Sequence, residues 1–318
     1  MTVNSTARER GEAAPGAPDD GGAIDALPLR RPGRALAAAL TLAAAALFIY
    51  GAATNSNYQW GTYFAYLFDT RILAGAWITM QLTVYAMVLA LVLGVVLAIM
   101  RLSSNPVLRY TAWGFLWLFR GTPVYVQLVF WGLFPSIYPQ IGIGIPFLHR
   151  FATLDIQGLE AAFLFGVIGL GLNEAAYMAE IVRAGLLSVG EGQGEAAAAL
   201  GMSSTQTMRR IILPQAMRVV IPPTGNELIS MLKTTSLVTA VPYTLDLYSR
   251  ARAISGVTFE PVPLLLVAST WYLAITSVLM CGQYFLERRF ARGATRKLTA
   301  KQQRAALDLA SAADGRPR

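Results

Sequence analysis

Apolar runs alternate with short polar stretches along most of the chain. The first run covers residues 35–53 and follows the basic cluster Arg30, Arg31 and Arg34. The second covers residues 73–100, and Arg101 and Arg109 bracket the short loop after it. A third, residues 110–134, is interrupted by Arg120-Gly121-Thr122-Pro123. The fourth, residues 158–187, carries polar side chains within it. The fifth, residues 219–241, opens with the breaker Pro222-Pro223, and the sixth, residues 261–286, is uncharged. About 20 residues at ~1.5 Å rise span the ~30 Å hydrocarbon core of a bilayer, so each run is long enough to cross as a helix. The pattern predicts an all-α polytopic membrane protein of about six transmembrane helices.

The stretches between the runs divide the chain further. Residues 1–34 are rich in Gly, Ala, Pro and acidic residues, and are expected to form a disordered cytoplasmic arm. Residues 35–70 read as an extra N-terminal transmembrane helix with an external loop, in which Tyr58, Trp60, Tyr63 and Tyr66 are placed as interfacial aromatics. A cleaved signal peptide is the competing reading of the first run, but the arm before it is long and the run is near spanning length. Residues 71–290 form the main transmembrane domain, and 291–318 a basic cytoplasmic tail. Within that domain, a loop rich in Pro, Gly and Ile extends to about residue 157, and another polar loop holds Asp246, Arg250, Arg252 and Glu260.

Composition agrees with a membrane protein. Charged residues make up 14% of the chain, against about 25% for a soluble domain, and the mean hydropathy is +0.48. A net charge of +8 would suit nucleic acid, but the cations do not form one face. About 19 Lys and Arg lie on the side holding both termini, the Arg101–Arg109 loop and the loop around residue 200, against about four (Arg71, Arg150, Arg250, Arg252) on the other. This positive-inside bias puts both termini in the cytoplasm and the chain in the cell membrane, among lipid and not on nucleic acid. With Cys281 the single cysteine and His149 the single histidine, neither a disulfide framework nor a metal cluster is expected.

Residues 195–214 form a polar-flanked break that is built like a docking knob. Glu195 opens a run of four alanines, Ala196 to Ala199, strong helix formers with little bulk. Gly201 suits a left-handed helix exit, Ser203 with Gln206 fits a capping box for a second helix, and Pro214 should stop or kink that helix. The first helix is expected to have about two turns, roughly 10 Å, too short to cross a bilayer.

Glu195-Ala196-Ala197, then Gly201, Ile211, Leu213 and Pro214, closely resemble the EAA loop of ATP-binding-cassette importer permeases of type I, with the MetI-like transmembrane domain. The resemblance implies that these seven residues form a cytoplasmic coupling helix seated in a groove of a separate ATPase. It spans about residues 70–290 and is most similar to the polar amino-acid uptake branch. The runs that carry it are Phe119-Arg120-Gly121-Thr122-Pro123 with Gln127, and Ala176-Tyr177-Met178-Ala179-Glu180-Ile181-Val182-Arg183-Ala184-Gly185. Leu213-Pro214-Gln215-Ala216, Pro222-Pro223-Thr224-Gly225-Asn226 and Lys233-Thr234-Thr235-Ser236-Leu237 complete it. Many members carry an acidic residue after this lysine; here it is Thr234.

Charged and amide side chains inside a span need a reason, because each charge costs at least about 2.5 kcal/mol there. In the fourth run Asn173, Tyr177, Glu180 and Ala184 share one helical face, and Glu174 lies off it. Glu180 and Arg183 are three residues apart and can neutralise each other, which is a purely structural alternative to a transport role. Gly121 and Pro123 loosen the helix beside Arg120 and free backbone groups to line a cavity. Arg120 then either binds a substrate carboxylate bidentately or pairs with Glu174 or Glu180. Asn226 and Lys233 are seven apart on one face of the fifth run and can line the same path, whereas Glu227 falls on a different face. The expected path residues are thus Arg120, Thr122, Gln127, Asn173, Glu174, Tyr177, Glu180, Asn226 and Lys233.

These features predict a permease subunit that moves polar amino acids, cationic ones if Glu174 and Glu180 act through charge, into the cell. No GxxxxGK[ST] loop or GxSxG elbow occurs, so the chain is expected to be no enzyme and to need no cofactor of its own. ATP and Mg would sit on a partner ATPase dimer, and an extracytoplasmic amino-acid-binding protein would deliver substrate. One docking knob per chain implies a second permease subunit, a homodimer or a paralogue pair. The competing function is an ion-coupled secondary transporter of a small polar solute, which needs no knob and often shows inverted repeats.

Overall fold

The structure, a computed structural model, describes residues 32–145 and 149–290. The expected arm and basic tail lie outside the described residues, except that Pro32 to Arg34 already belong to the first helix. The chain divides into two units, Met1–Asn55 and Ser56–Arg318. The described part of the first is one helix, α1 (Pro32–Thr54), which is charge-free beyond Arg34, with its large apolar side chains exposed. An uncharged apolar surface of this kind suits contact with lipid.

The second unit opens with a single 3-10 turn and a short helix, α2 (Trp60–Leu67), in the stretch read as an external loop. Asp69 then caps α3 (Thr70–Leu102): its carboxylate accepts the Arg71 backbone N–H at 2.8 Å and the Arg71 guanidinium at 2.9 and 3.0 Å. The third apolar run is two helices, α4 (Pro106–Gly121) and α5 (Val124–Ile137), broken at the expected place. A long helix, α6 (Leu159–Leu187), follows, then the short α7 (Glu191–Ala199) and α8 (Ser204–Thr207). The bundle closes with α9 (Leu213–Thr234), α10 (Leu247–Thr258) and α11 (Pro261–Phe290). Among the described residues, four helices have the length and composition to cross a membrane alone: α1, α3, α6 and α11. The broken α4–α5 pair and the polar α9 supply the rest of the expected six-span, all-α bundle.

Helix α3 packs on α6 in parallel, since Leu82, Leu89 and Gly94 meet Gly166, Gly171 and Met178 in the same order. The contact is close because buried small residues recur every fourth position on α3: Ala86, Ala90, Gly94 and Ala98. Small residues let backbones approach in a bilayer, where dispersion rather than the hydrophobic effect drives helix association. A Cβ on Gly94 would sit 2.6 Å from the Met178 Cβ, so glycine is the only residue that fits there. Helix α9 runs antiparallel to α6, with Val220 against Gly185 at one end and Met231 with Leu170 at the other.

Four expectations need correction. The loop before residue 157 contains an antiparallel hairpin, β1 (Gln140–Ile145) with β2 (His149–Asp155), paired from Gln140 with Asp155 to Ile145 with His149. Alternating Ile141, Ile143 and Ile145 suit a pleated strand, a period hidden by the glycines between them. The loop around Asp246 contains α10. Asp246 is fully buried and accepts the Tyr248 and Ser249 N–H groups at 3.1 and 3.2 Å, and the Leu247 N–H donates to Thr79 Oγ1 on α3 at 3.0 Å. Burial pushes the Asp246 carboxyl above its usual range, against the pull of those donors.

The other two corrections concern prolines. Pro222 and Pro223 lie inside α9 and do not open it. Gln283 on α11 donates to the Pro222 carbonyl at 2.8 Å, so a neighbouring helix supports the irregular turn. Pro214 does not stop the helix after α8. A π turn, Met208–Ile212, widens the backbone just before it, and the Leu213 N–H reaches back to the Met208 carbonyl. The chain thereby runs on into α9 without the N–H that Pro214 lacks.

Gly94→Leu is expected to lower stability by about 1–3 kcal/mol through overpacking. Gly114→Ala on α4, where an added Cβ meets nothing, is expected to change little. Thermal melting of the detergent-purified protein followed by size-exclusion chromatography checks both.

Candidate functional site

The break between α4 and α5 frees carbonyls that the helix no longer uses. Gln127 satisfies them: its side-chain NH2 lies 2.9 Å from the Phe119 carbonyl, 3.0 Å from the Thr122 carbonyl and 2.7 Å from the Thr122 hydroxyl. Asn173 on α6 adds a bond to the Phe119 carbonyl at 3.0 Å and one to the Gln127 side-chain oxygen at 3.1 Å. Three of the expected path residues, Thr122, Gln127 and Asn173, thus come together, but their polar groups are spent mostly on one another and on backbone. They clamp the break.

Beside this clamp lies a cavity of about 290 Å³ between α6 and α9, lined by Asn173, Glu174 and Tyr177 on one side and by Glu227, Ser230 and Thr234 on the other. Glu174 is buried and lines this cavity together with Glu227. Its Oε1 has no hydrogen-bond partner. Among the described residues, the only ion pairs are Arg71 with Asp69 and Arg183 with Glu180, so neither cavity glutamate has a cationic partner.

The path expected on α9 is therefore displaced. Asn226 is exposed and does not line this cavity, and Lys233 lines a separate groove with Ser236, Thr239, Tyr248 and Tyr272. The face turned to α6 is Glu227, Ser230, Met231 and Thr234, spaced three, four and seven apart. Glu227 was legible as a charge within a span; what hid its role was which face of α9 meets α6.

Arg120 takes neither expected carboxylate. Its guanidinium lies over the Tyr177 ring, 5.3 Å from the centroid, in a cation–π contact. Glu180 is held by Arg183 through bonds of 2.6 and 3.0 Å, the pairing the spacing allowed.

At the end of the bundle where α3 and α6 finish, α7 and the turn after it form a separate protruding feature. The helix begins at Glu191, not Glu195, and so has nine residues, about 14 Å. Gly201 adopts φ 76°, and the Gly201 and Met202 N–H groups reach back to the Ala198 and Ala197 carbonyls, closing the helix in a Schellman motif. Ser203 and Gln206 form the expected capping box. Ala197 turns inward, while Glu195, Ala196, Leu213 and Pro214 are exposed and Ile211 is half-buried in the π turn. Leu200, which the sequence reading passed over, is 82% exposed at the tip beside Gly201. A short helix of exposed alanines ending in an exposed leucine is a surface for close protein contact.

Residues 90–292 match the family of binding-protein-dependent transport system inner membrane components. The chain belongs to this family. It is 59% identical over 293 residues to the arginine transport system permease protein ArgU of Corynebacterium glutamicum, covering 92% of this chain and 91% of the relative. It is 37% identical over 232 residues to the histidine/lysine/arginine/ornithine transport system permease protein HisM of Salmonella typhimurium, covering 72% and 94%. A crystal structure of an amino acid ABC transporter with histidines superposes with a TM-score of 0.57 at 32% identity, over 69% of this chain and 94% of that one. The inward-facing MetNI methionine transporter, 18% identical with a TM-score of 0.52 over 69% and 95% of the two chains, shares the fold. The protein is a multi-pass, membrane-embedded permease subunit. Such subunits work with an ATPase and a substrate-binding protein.

Gln127→Leu leaves the Phe119 and Thr122 carbonyls short of donors and is expected to cost about 1–3 kcal/mol of stability. Combined with Asn173→Leu, the loss should be smaller than the sum of the two, because both serve one network. Thermal melts of the single and double variants measure this.

Proposed function

We propose that this permease carries cationic amino acids, arginine among them, into the cell, driven by a separate ATPase docked on α7. The observation that carries the substrate class is the pair Glu174 and Glu227, two carboxyl groups lining one membrane cavity without a basic partner among the described residues. Two adjacent carboxylates repel. A guanidinium or ammonium set between them replaces that repulsion with two attractions, whereas a neutral or acidic side chain gains nothing. The printed names of the two permease relatives, for arginine and for histidine, lysine, arginine and ornithine, support the same class.

In this reading both termini and α7 face the cytoplasm, as the distribution of Lys and Arg favours. Glu195, Ala196, Ala197, Gly201, Ile211, Leu213 and Pro214, with the exposed Leu200, seat α7 in the ATPase. ATP and Mg belong to that partner. Each chain offers one docking helix, so two permease subunits, the same chain twice or this chain with a paralogue, face an ATPase dimer. An extracytoplasmic amino-acid-binding protein loads substrate from the other side. In the same reading the exposed Arg120, which lies over Tyr177 in the neighbouring groove, meets the substrate carboxylate.

Cells expressing the complete transporter should take up labelled arginine, and Glu227→Gln should reduce that uptake about tenfold or more. Uptake that is unchanged in both Glu174→Gln and Glu227→Gln would sink the substrate reading. Uptake abolished by a protonophore while ATP is maintained would instead support ion-coupled transport.

The docking helix has its own test. Glu195→Arg should abolish co-purification of the ATPase with the tagged permease in mild detergent, while the permease itself elutes unchanged. Retention of the ATPase by that variant and by Leu200→Asp would remove α7 from the coupling surface.

A further inference from the structure

Tyr177 is a wall shared by two cavities of opposite character. The acidic one holds Glu174 and Glu227. The other, an open groove of about 480 Å³, is lined by Arg101, Trp113, Trp117, Arg120, Tyr177 and Glu180, with both tryptophans and Arg120 exposed. The order of residues along α6, with Glu174, Tyr177 and Glu180 leading toward Leu187, puts the second cavity nearer α7. The parallel packing of α3 agrees, because Arg101 sits in its last turn at that same end.

Charge in the second cavity is unbalanced. Among the described residues neither Arg101 nor Arg120 has an acidic partner, and the one carboxylate on the wall, Glu180, is already bound by Arg183. The Arg101 Nε is buried and has no acceptor. A guanidinium N–H removed from water without an acceptor is unfavourable, and a carboxylate or phosphate oxygen supplies the missing bond with matching charge. Stacked Trp113 and Trp117, with ring centroids 6.4 Å apart, give that cavity a flat apolar side suited to the carbon stem of a long side chain.

We propose that the second cavity is a carboxylate-binding exit chamber, in which Arg101 receives the α-carboxylate of the amino acid after it passes Tyr177 from the acidic chamber. This rests on the cationic amino-acid reading above and extends it to a second station. A free amino acid is favoured over a lipid headgroup as the source of the oxyanion because the chamber shares a wall with the acidic cavity.

The test uses the permease–ATPase complex in phosphatidylcholine nanodiscs and measures equilibrium binding of labelled arginine and of agmatine, which is arginine without its carboxylate. Arg101→Gln is expected to weaken one of two arginine sites about tenfold and leave agmatine unchanged, and Arg101→Lys to restore part of the loss. If arginine and agmatine weaken together, or arginine does not weaken at all, the exit chamber is wrong while the acidic site stands. If adding phosphatidylglycerol displaces arginine from wild type but not from Arg101→Gln, the oxyanion site belongs to lipid and the proposal is overturned. Absence of arginine binding to wild type, or binding indifferent to Glu227→Gln, removes the cationic reading itself and the chamber with it.

Discussion

Residues with almost no side chain hold α3 against α6, and that contact governs where the polar groups of the bundle can point. Ala86, Ala90, Gly94 and Ala98 let the two backbones approach until Gly94 meets the Met178 Cβ. With that face of α6 sealed, its polar residues Asn173, Glu174 and Tyr177 turn toward α5 and α9. The close α3–α6 contact thus bears on the direction in which Glu174 turns.

A second constraint follows from the bilayer. Backbone groups released by a helix break must find partners within the protein, because lipid offers none. The α4–α5 break meets this with Gln127 and Asn173, and the proline pair in α9 meets it with Gln283. Irregular backbone is thus kept beside the cavities at the cost of buried amides. Arg120, at the edge of the break, escapes this role: its guanidinium rests on an aromatic face and remains free to move toward an anion.

Helix α7 and the acidic cavity are joined by a short stretch of chain. From the capped turn at Ser203, through α8 and the π turn, the backbone runs unbroken into α9, which carries Glu227. The π turn is the least regular segment of that stretch.

The sequence by itself determined the class of protein, the spans and their interruptions, the capped knob around Gly201, and the Glu180–Arg183 pair. These depend on local spacing, hydropathy and turn chemistry, which neighbours in sequence supply. The hairpin before residue 157 and the small-residue stripe on α3 were also legible, as an isoleucine alternation and a four-residue repeat, though glycines and a general abundance of alanine masked them. Only the tertiary structure decided that Gln127 and Asn173 are spent on the backbone, that Glu227 and not Asn226 faces Glu174, and that Tyr177 stands between an acidic and a basic chamber. Helical period says which residues share a face. It does not say which neighbouring helix that face meets, and that choice is made by packing between segments tens of residues apart.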